Sequence, residues 1–238
     1  MGRLIRVESA ALSFGSATSN CQPRNLRYKT SCFGSAARCA EWLCLSVKSV
    51  RLCLMHTISR DTPALYLTSV AKDRLPVFRA DALKIVTCNA LNEARNSAGF
   101  SIYAYVIMPD HLHLITDAEL KPSKILRFVN GITGRRVIDH LKERGHNSSL
   151  LKLRHEIKER EYRYSLWDHH NNVFSITSED MFMQKVNYIH NNPVRAELVE
   201  RAKDYRWSSA RIWQGHPLAD EPLLMNIDRI TWRRGAAS

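Results

Sequence analysis

Acidic residues are scarce in this 238-residue chain: 23 Asp and Glu stand against 35 Lys and Arg, a formal net charge of +12 with a pI near 9.7. An imbalance of this size favours a polyanionic partner, nucleic acid first. Long apolar runs are missing too. Nothing approaches the roughly 18 to 20 consecutive apolar residues that a membrane-spanning helix needs. The first residues lack an uninterrupted apolar core ahead of a small-residue cleavage site, so no secretory signal is read and a cytoplasmic location is expected. The six cysteines form no C-x-x-C pair, which argues against a zinc site, and a cytoplasmic location argues against disulfides. What remains is a chain with 45% apolar residues, long enough for one domain with an appendage.

The deficit of acids is deepest at the start. Residues 1–56 hold eight of the Lys and Arg residues but only Glu8 and Glu41, together with five of the six cysteines. Strand alternation is lacking there, and Cys39 to Leu54 is apolar without a clean polar face. This segment reads as an atypical N-terminal extension, disordered or mis-started, with Met55 as the expected true start. The functional domain is expected over 57–238.

From residue 57 the pattern becomes orderly. Ala64 to Val70 reads as a strand. Ala80 to Ser97 carries an apolar stripe of Leu83, Val86, Ala90, Leu91 and Ala94 at helical spacing, with Gly99 as the stop. Phe100 to Met108 reads as a second strand with Tyr103, Tyr105 and Ile107 on one face. Pro109-Asp110 breaks it, and His111 to Thr116 returns antiparallel. Pro122 opens a second helix running to about Arg144 before Gly145. Its apolar face holds Ile125, Phe128, Val129 and Ile132, and its other faces are basic. His146 to Arg163 reads as a mobile excursion or irregular helix, and Tyr164 to Ile176 supplies a fourth strand. The order strand-helix-strand-strand-helix-strand is the ferredoxin-like α+β plan, an antiparallel sheet with both helices on one face. The other face is left for a further helix or a ligand.

Two patterns carry chemistry. In Met108-Pro109-Asp110-His111-Leu112-His113-Leu114-Ile115, side chains two apart on a strand point the same way. His111 and His113 therefore present two imidazoles together while Leu112 and Leu114 face the core. Paired imidazoles on a strand can hold a metal ion, and a metal can polarise a phosphate. The bland alternative is two surface histidines beside a turn. Further on, Thr177 with Asp180 resembles a capping box for a third helix. Met181, Lys185, Tyr188 and Asn192 share one of its stripes, and Pro193 marks its expected end. Tyr162, Tyr164 and Tyr205 are rival reactive tyrosines by residue type, and Asn192 could equally cap the helix. His190 reads as a surface or DNA-facing residue, His169-His170 as a solvated turn, Trp207 as core, and Ser208-Ser209 as the cap of a short final helix.

The segment Val106 to Ile115, then Asn187-Tyr188-Ile189-His190-Asn191-Asn192-Pro193-Val194-Arg195, then Asp204-Tyr205-Arg206-Trp207-Ser208-Ser209, resembles the REP-associated tyrosine transposases. These are single-tyrosine transposases of the HUH endonuclease superfamily, and the resemblance spans roughly residues 60 to 213. The family often has Asn where this chain has Asp110. The resemblance implies a metal-dependent endonuclease and strand transferase of DNA transposition and recombination, acting on single-stranded, hairpin-forming DNA. It makes Tyr188 the nucleophile of a 5′-phosphotyrosine intermediate. It makes His111, His113 and Asn192 ligands of Mg²⁺ or Mn²⁺, of which Mn²⁺ suits the ligand set better. Arg127, Arg135 and Arg136 on the basic second helix are expected to contact DNA phosphates. Monomer and homodimer are both compatible. Two other classes compete: a retired transposase that only binds hairpin DNA, and a phosphoesterase that uses water in place of Tyr188.

Overall fold

The computed structural model describes residues 55–158, 161–168 and 172–232, all within one compact unit. Residues 1–54, nearly all of the expected extension, and the His169-His170 pair lie outside the described residues. Strand β1 (Ala64–Val70) leads to helix α1 (Asp81–Ala98), strands β2 (Ile102–Ile107) and β3 (His111–Asp117), and helix α2 (Pro122–Glu143). A short helix α3 (Asn147–Leu153) and a hairpin of β4 (Arg154–Lys158) and β5 (Glu161–Tyr164) intervene. Then come β6 (Asn172–Ile176), helix α4 (Glu179–Arg195) and a short helix α5 (Ala210–Trp213). The main sheet has the order β2-β3-β1-β6 with every neighbour antiparallel, the ferredoxin-like arrangement that the sequence suggests.

Register sorts the side chains onto two faces. Opposed residues of an antiparallel pair share a face. Leu67 faces Leu114 across the β1–β3 ladder, and Ser69 faces Leu112. This face packs against the helices: Ser69 Oγ donates to Asn130 Oδ1 of α2 at 2.7 Å, and α1 packs along α2. Leu65, Leu67, Ile107, Leu112 and Leu114 are buried, each such side chain contributing about 1.5–3 kcal/mol. Tyr66, Thr68, His111, His113 and Ile115 take the opposite face, joined by Phe174 opposite Tyr66 on β6. Helix α4 meets this side of the sheet at β2 and β3. The face that the two-helix plan leaves uncovered is thus where the third helix lies.

Several boundaries differ from the sequence expectation. Tyr103 does not share a face with Tyr105: a register shift between Ile102 and Ala104 inserts it as an extra residue. Its ring meets Phe182 of α4 at 6.0 Å, while Tyr105 lies toward Cys88 of α1. The N-cap of α4 is Ser178 rather than Thr177, its Oγ accepting the Met181 N–H at 3.3 Å. The helix also runs through Pro193 to Arg195. The buried proline ring forfeits one intrahelical hydrogen bond without ending the helix. The described part of the excursion after α2 holds α3 and the paired strands β4 and β5. Gly99 does stop α1, with φ 77° and its N–H on the Arg95 carbonyl at 2.6 Å, a left-handed cap that glycine adopts without strain.

The segment Tyr205 to Ser209 lies along the free edge of β2. Ile107 N–H donates to the Trp207 carbonyl at 2.9 Å and Ser209 N–H to the Tyr105 carbonyl at 3.0 Å, covering an otherwise unpaired sheet edge. Trp207 is buried as expected. Ser209 precedes α5 but makes no side-chain cap; its Oγ accepts from Tyr105 N–H at 3.0 Å and bonds His190 Nε2 at 2.9 Å. Near the other end, His56 N–H donates to the Arg229 carbonyl at 2.6 Å and Thr231 N–H to the His56 carbonyl at 2.9 Å.

Candidate active site

The two histidines of β3 stand side by side, ring centroids 4.8 Å apart at 74°. Each has its Nδ1 engaged. His111 Nδ1 donates to Asp110 Oδ1 at 2.6 Å, and Arg74 Nη1 holds the other carboxylate oxygen at 3.2 Å. Burial alone would raise the Asp110 carboxyl. The bonds from His111 and Arg74 outweigh it and hold the group below the ordinary carboxylate range. His113 Nδ1 lies 2.8 Å from Tyr66 Oη and 2.9 Å from Thr68 Oγ1, both able to accept from it. The tautomers with Nδ1–H on each ring leave lone pairs on both Nε2 atoms. Oriented in this way, imidazoles are ready-made metal ligands. Burial, with the charges of His111 and Lys185 adding to it, drives the His113 pKa down to about 3. The ring is thereby kept in the neutral, ligating form at working pH.

Tyr188 sits in the middle of α4 with about 38% of its surface exposed. Its ring lies edge-on to His113, centroids 5.7 Å apart, and to Tyr66 at 6.4 Å. The structure therefore brings Tyr188 to the histidine pair. The rivals are elsewhere. Tyr205 is buried, its hydroxyl donating to the Ile107 carbonyl at 2.8 Å, and burial pushes its phenol up. Tyr164 belongs to the hairpin, beneath Lys142 Nζ at 5.3 Å from its ring. The side chain of Tyr162 lies outside the described residues. Asn192 follows Tyr188 by one turn, and its Nδ2 is buried with no hydrogen-bond partner among the described residues. A side-chain amide presents nitrogen and oxygen at nearly equivalent positions, so the same site can offer an oxygen donor.

Among the described residues no cluster of three His, Cys, Asp or Glu side chains is placed to hold a metal. A divalent ion here would rest on the two imidazole nitrogens plus an amide oxygen. That donor set is compatible with an ion of Mn²⁺ type, which when bound would polarise a phosphate.

The other predicted residues are not gathered here. Arg136 makes a bidentate pair with Glu93 of α1, at 2.8 and 2.7 Å. Arg127 Cζ lies 5.7 Å from the ring of Phe128, and Arg135 borders a groove with Tyr164 and Trp167. All three belong to α2, which covers the opposite face of the sheet from the histidines. His190 is buried rather than exposed, and burial lowers its pKa to about 4. Two residues beyond Tyr188 is about 200° around a helix, so a His190 facing the core was readable from spacing.

Sequence reasoning did not pick out Tyr66 and Thr68, because only strand register places them beside His113. Lys185 was placed on the Tyr188 stripe without a role, and Arg195 was given none. Lys185 Nζ lies 5.7 Å and Arg195 Cζ 5.4 Å from the Tyr188 ring centroid. The signal for them was available, since both fall on the Tyr188 side of the helix at helical spacing.

Residues 64–192, more than half of the chain, match the family described as Transposase IS200 like. The chain belongs to that family of DNA-processing enzymes. Among solved structures it is similar to a REP-associated tyrosine transposase bound to a REP hairpin. The identity there is 15%, the match covers 71% of this chain and 89% of that one, and the TM-score is 0.47. It is also similar to a putative transposase from Deinococcus radiodurans R1, at 22% identity over 55% of this chain and 90% of that one, with a TM-score of 0.36. No curated protein matches the chain. Among the described residues no helix is long and apolar enough to cross a membrane.

Proposed function

We propose that this chain is a metal-dependent single-stranded DNA endonuclease and strand transferase of the REP-associated tyrosine kind, acting on hairpin-forming DNA. The observation that carries the reading is the meeting of Tyr188 with a histidine pair whose Nδ1 atoms are both engaged. The Tyr188 phenol oxygen attacks the scissile phosphorus. A P–O bond to tyrosine forms as the P–O3′ bond breaks, the phenol proton passes to solvent, and the departing O3′ takes up a proton. The product is a 5′-phosphotyrosine link with a free 3′-OH, and a 3′-OH can later reverse the exchange. His111, His113 and Asn192 are the residues that would hold a divalent ion. When bound, that ion offsets charge developing on the phosphate oxygens. Asp110, Tyr66 and Thr68 fix the two rings. In this reading Arg127, Arg135 and Arg136 contact the hairpin stem away from the cleavage point. The extension expected over residues 1–56 ends, in this reading, before His56, whose backbone bonds Arg229 and Thr231.

The test is incubation of the full chain with end-labelled hairpin oligonucleotides from the DNA flanking its gene, with Mn²⁺ or Mg²⁺. A DNA adduct that survives denaturing electrophoresis is expected. Binding without an adduct, under every flanking sequence and both metals, would move the reading to a retired, binding-only transposase. Cleavage that persists in Tyr188→Phe would point to the water-using phosphoesterase.

A further inference from the structure

The face of α4 that carries Tyr188 also carries two cations. Lys185, Tyr188, Asn192 and Arg195 follow one another at intervals of three, four and three residues, which keeps them on one side of a helix. Lys185 Nζ lies 4.9 Å from the ring centroid of Phe174, 5.4 Å from Tyr66 and 5.7 Å from Tyr188. Arg195 Cζ approaches the Tyr188 ring from the other end of the stripe, at 5.4 Å. Among the described residues neither cation takes part in an ion pair. Other basic side chains of the fold do: Arg74, Lys84, Arg136, Arg201, Arg206 and Arg211 all meet carboxylates. Lys185 is half-buried among aromatic rings, which attract a cation through their faces but leave its charge unneutralised. Two cations outside any ion pair among the described residues thus lie within 6 Å of the ring of the exposed Tyr188.

We propose that Lys185 and Arg195 are a phosphate clamp for single-stranded DNA, holding backbone phosphates on the two sides of the point that Tyr188 attacks. The strand would run along α4, across the tyrosine, with Lys185 at the β6 side and Arg195 toward the helix C-terminus. The clamp is distinct from the basic surface of α2 and rests on the reading of Tyr188 as nucleophile. A guanidinium or ammonium in this role contributes a charge-assisted hydrogen bond and releases counterions, so its removal leaves a defined trace in salt dependence.

The experiment uses the full chain in a Tyr188→Phe background, so that the hairpin oligonucleotides stay intact. It compares Lys185→Met, Lys185→Arg, Arg195→Met and Arg195→Lys. Circular dichroism first verifies that each variant is folded; the half-buried Lys185 and the exposed Arg195 are expected to tolerate all four. Each Met variant should bind about tenfold more weakly at low salt, the order of one charge-assisted hydrogen bond. The slope of log affinity against log salt should shrink by about 0.7 for each single-strand phosphate that is no longer neutralised. The charge-conserving variants should restore most of both. Oligonucleotides with a single neutral methylphosphonate then locate the two phosphates. Lys185→Met should add nothing when the phosphate on one side of the cleavage position is neutral, and Arg195→Met nothing when the phosphate on the other side is. Unchanged slopes, or weakening indifferent to which phosphate is neutral, overturn the clamp. Cleavage by the unsubstituted chain, run in parallel, reports separately on Tyr188: no adduct there overturns the nucleophile, whereas an adduct with unchanged slopes overturns the clamp alone.

Discussion

His113 and Tyr188 meet edge to face, ring centroids 5.7 Å apart and planes at 69°, across the sheet face opposite α1 and α2. One residue comes from the middle of β3 and the other from the middle of α4, so neither position is set by a loop. Replacing Tyr188 by Phe keeps the ring and its packing against Tyr66 while removing the hydroxyl. Expected is complete loss of the denaturation-resistant DNA adduct with hairpin affinity changed by less than about twofold, since one exposed hydroxyl contributes little net binding. Gel electrophoresis and a filter-binding titration read the two quantities. An adduct from the Phe variant would remove Tyr188 from the chemistry.

Asp110 orients His111 through the 2.6 Å bond to Nδ1. Asp110→Ala should weaken Mn²⁺ binding by about 10- to 100-fold, the usual cost of losing the group that orients a histidine ligand. Asp110→Asn, which keeps one acceptor oxygen, should cost less. Isothermal titration of the full chain with Mn²⁺ checks both. Equal affinities in all three proteins would mean that Asp110 has no part in ligand orientation.

His190 gives the fold an acid-sensitive contact. Its folded pKa of about 4 lies below the ordinary value near 6.5. Between those pH values the unfolded chain binds the extra proton and the folded chain does not. The contribution is therefore fully present above about pH 6.5 and is lost as pH falls toward 4, with a limiting slope of about 1.4 kcal/mol per pH unit. Urea denaturation of the parent at pH 7, 6 and 5 should show this decline, and His190→Gln should show less of it. His113, lowered by burial in the same sense, keeps part of the slope in both proteins. A parent and variant with identical pH profiles would overturn the assignment to His190.

The Arg211–Glu221 pair is the buried ion pair of the C-terminal region, at 3.1 Å with 10% and 3% of the side chains exposed. Arg211 also donates to the carbonyls of Lys203 and Arg206, and Glu221 accepts the Leu218 N–H at 2.9 Å. Glu221→Ala would strand a buried guanidinium, at a cost of about 3–5 kcal/mol. Arg136→Ala breaks a bidentate but solvated pair with Glu93 and should cost no more than about 1 kcal/mol. Thermal unfolding separates these, and comparable losses would contradict the role of burial.

The first three strands and two helices were legible because each buries one face and the sequence keeps the matching period: Leu112 and Leu114 alternate with His111 and His113, and Leu83, Leu91 and Ala94 recur along α1. Tyr103 broke the rule because a bulge consumes one residue and turns the side chain over, which alternation cannot reveal. Strand β6 was legible only as part of a longer stretch. Apart from Ile176, its described side chains are exposed or half-exposed, as suits an edge strand. The β4–β5 hairpin was missed because a two-stranded ribbon needs no buried face, and so carries no apolar alternation. At the site, the H-x-H spacing and the helical stripe were visible in sequence. The bonds of Tyr66 and Thr68 to His113 depend on pairing between strands far apart in the chain, which no local pattern records.

The face-to-face arrangement of β3 and α4 has a consequence for how defective copies would behave together. Histidines and tyrosine come from the same polypeptide and already touch. A chain lacking the imidazole, His113→Ala, mixed with one lacking the phenol, Tyr188→Phe, should therefore not regain adduct formation at any ratio or protein concentration. Recovery of a substantial share of the parental yield would require exchange of α4 between copies. Absent such exchange, a copy lacking the imidazole and a copy lacking the phenol would not complete one another's site.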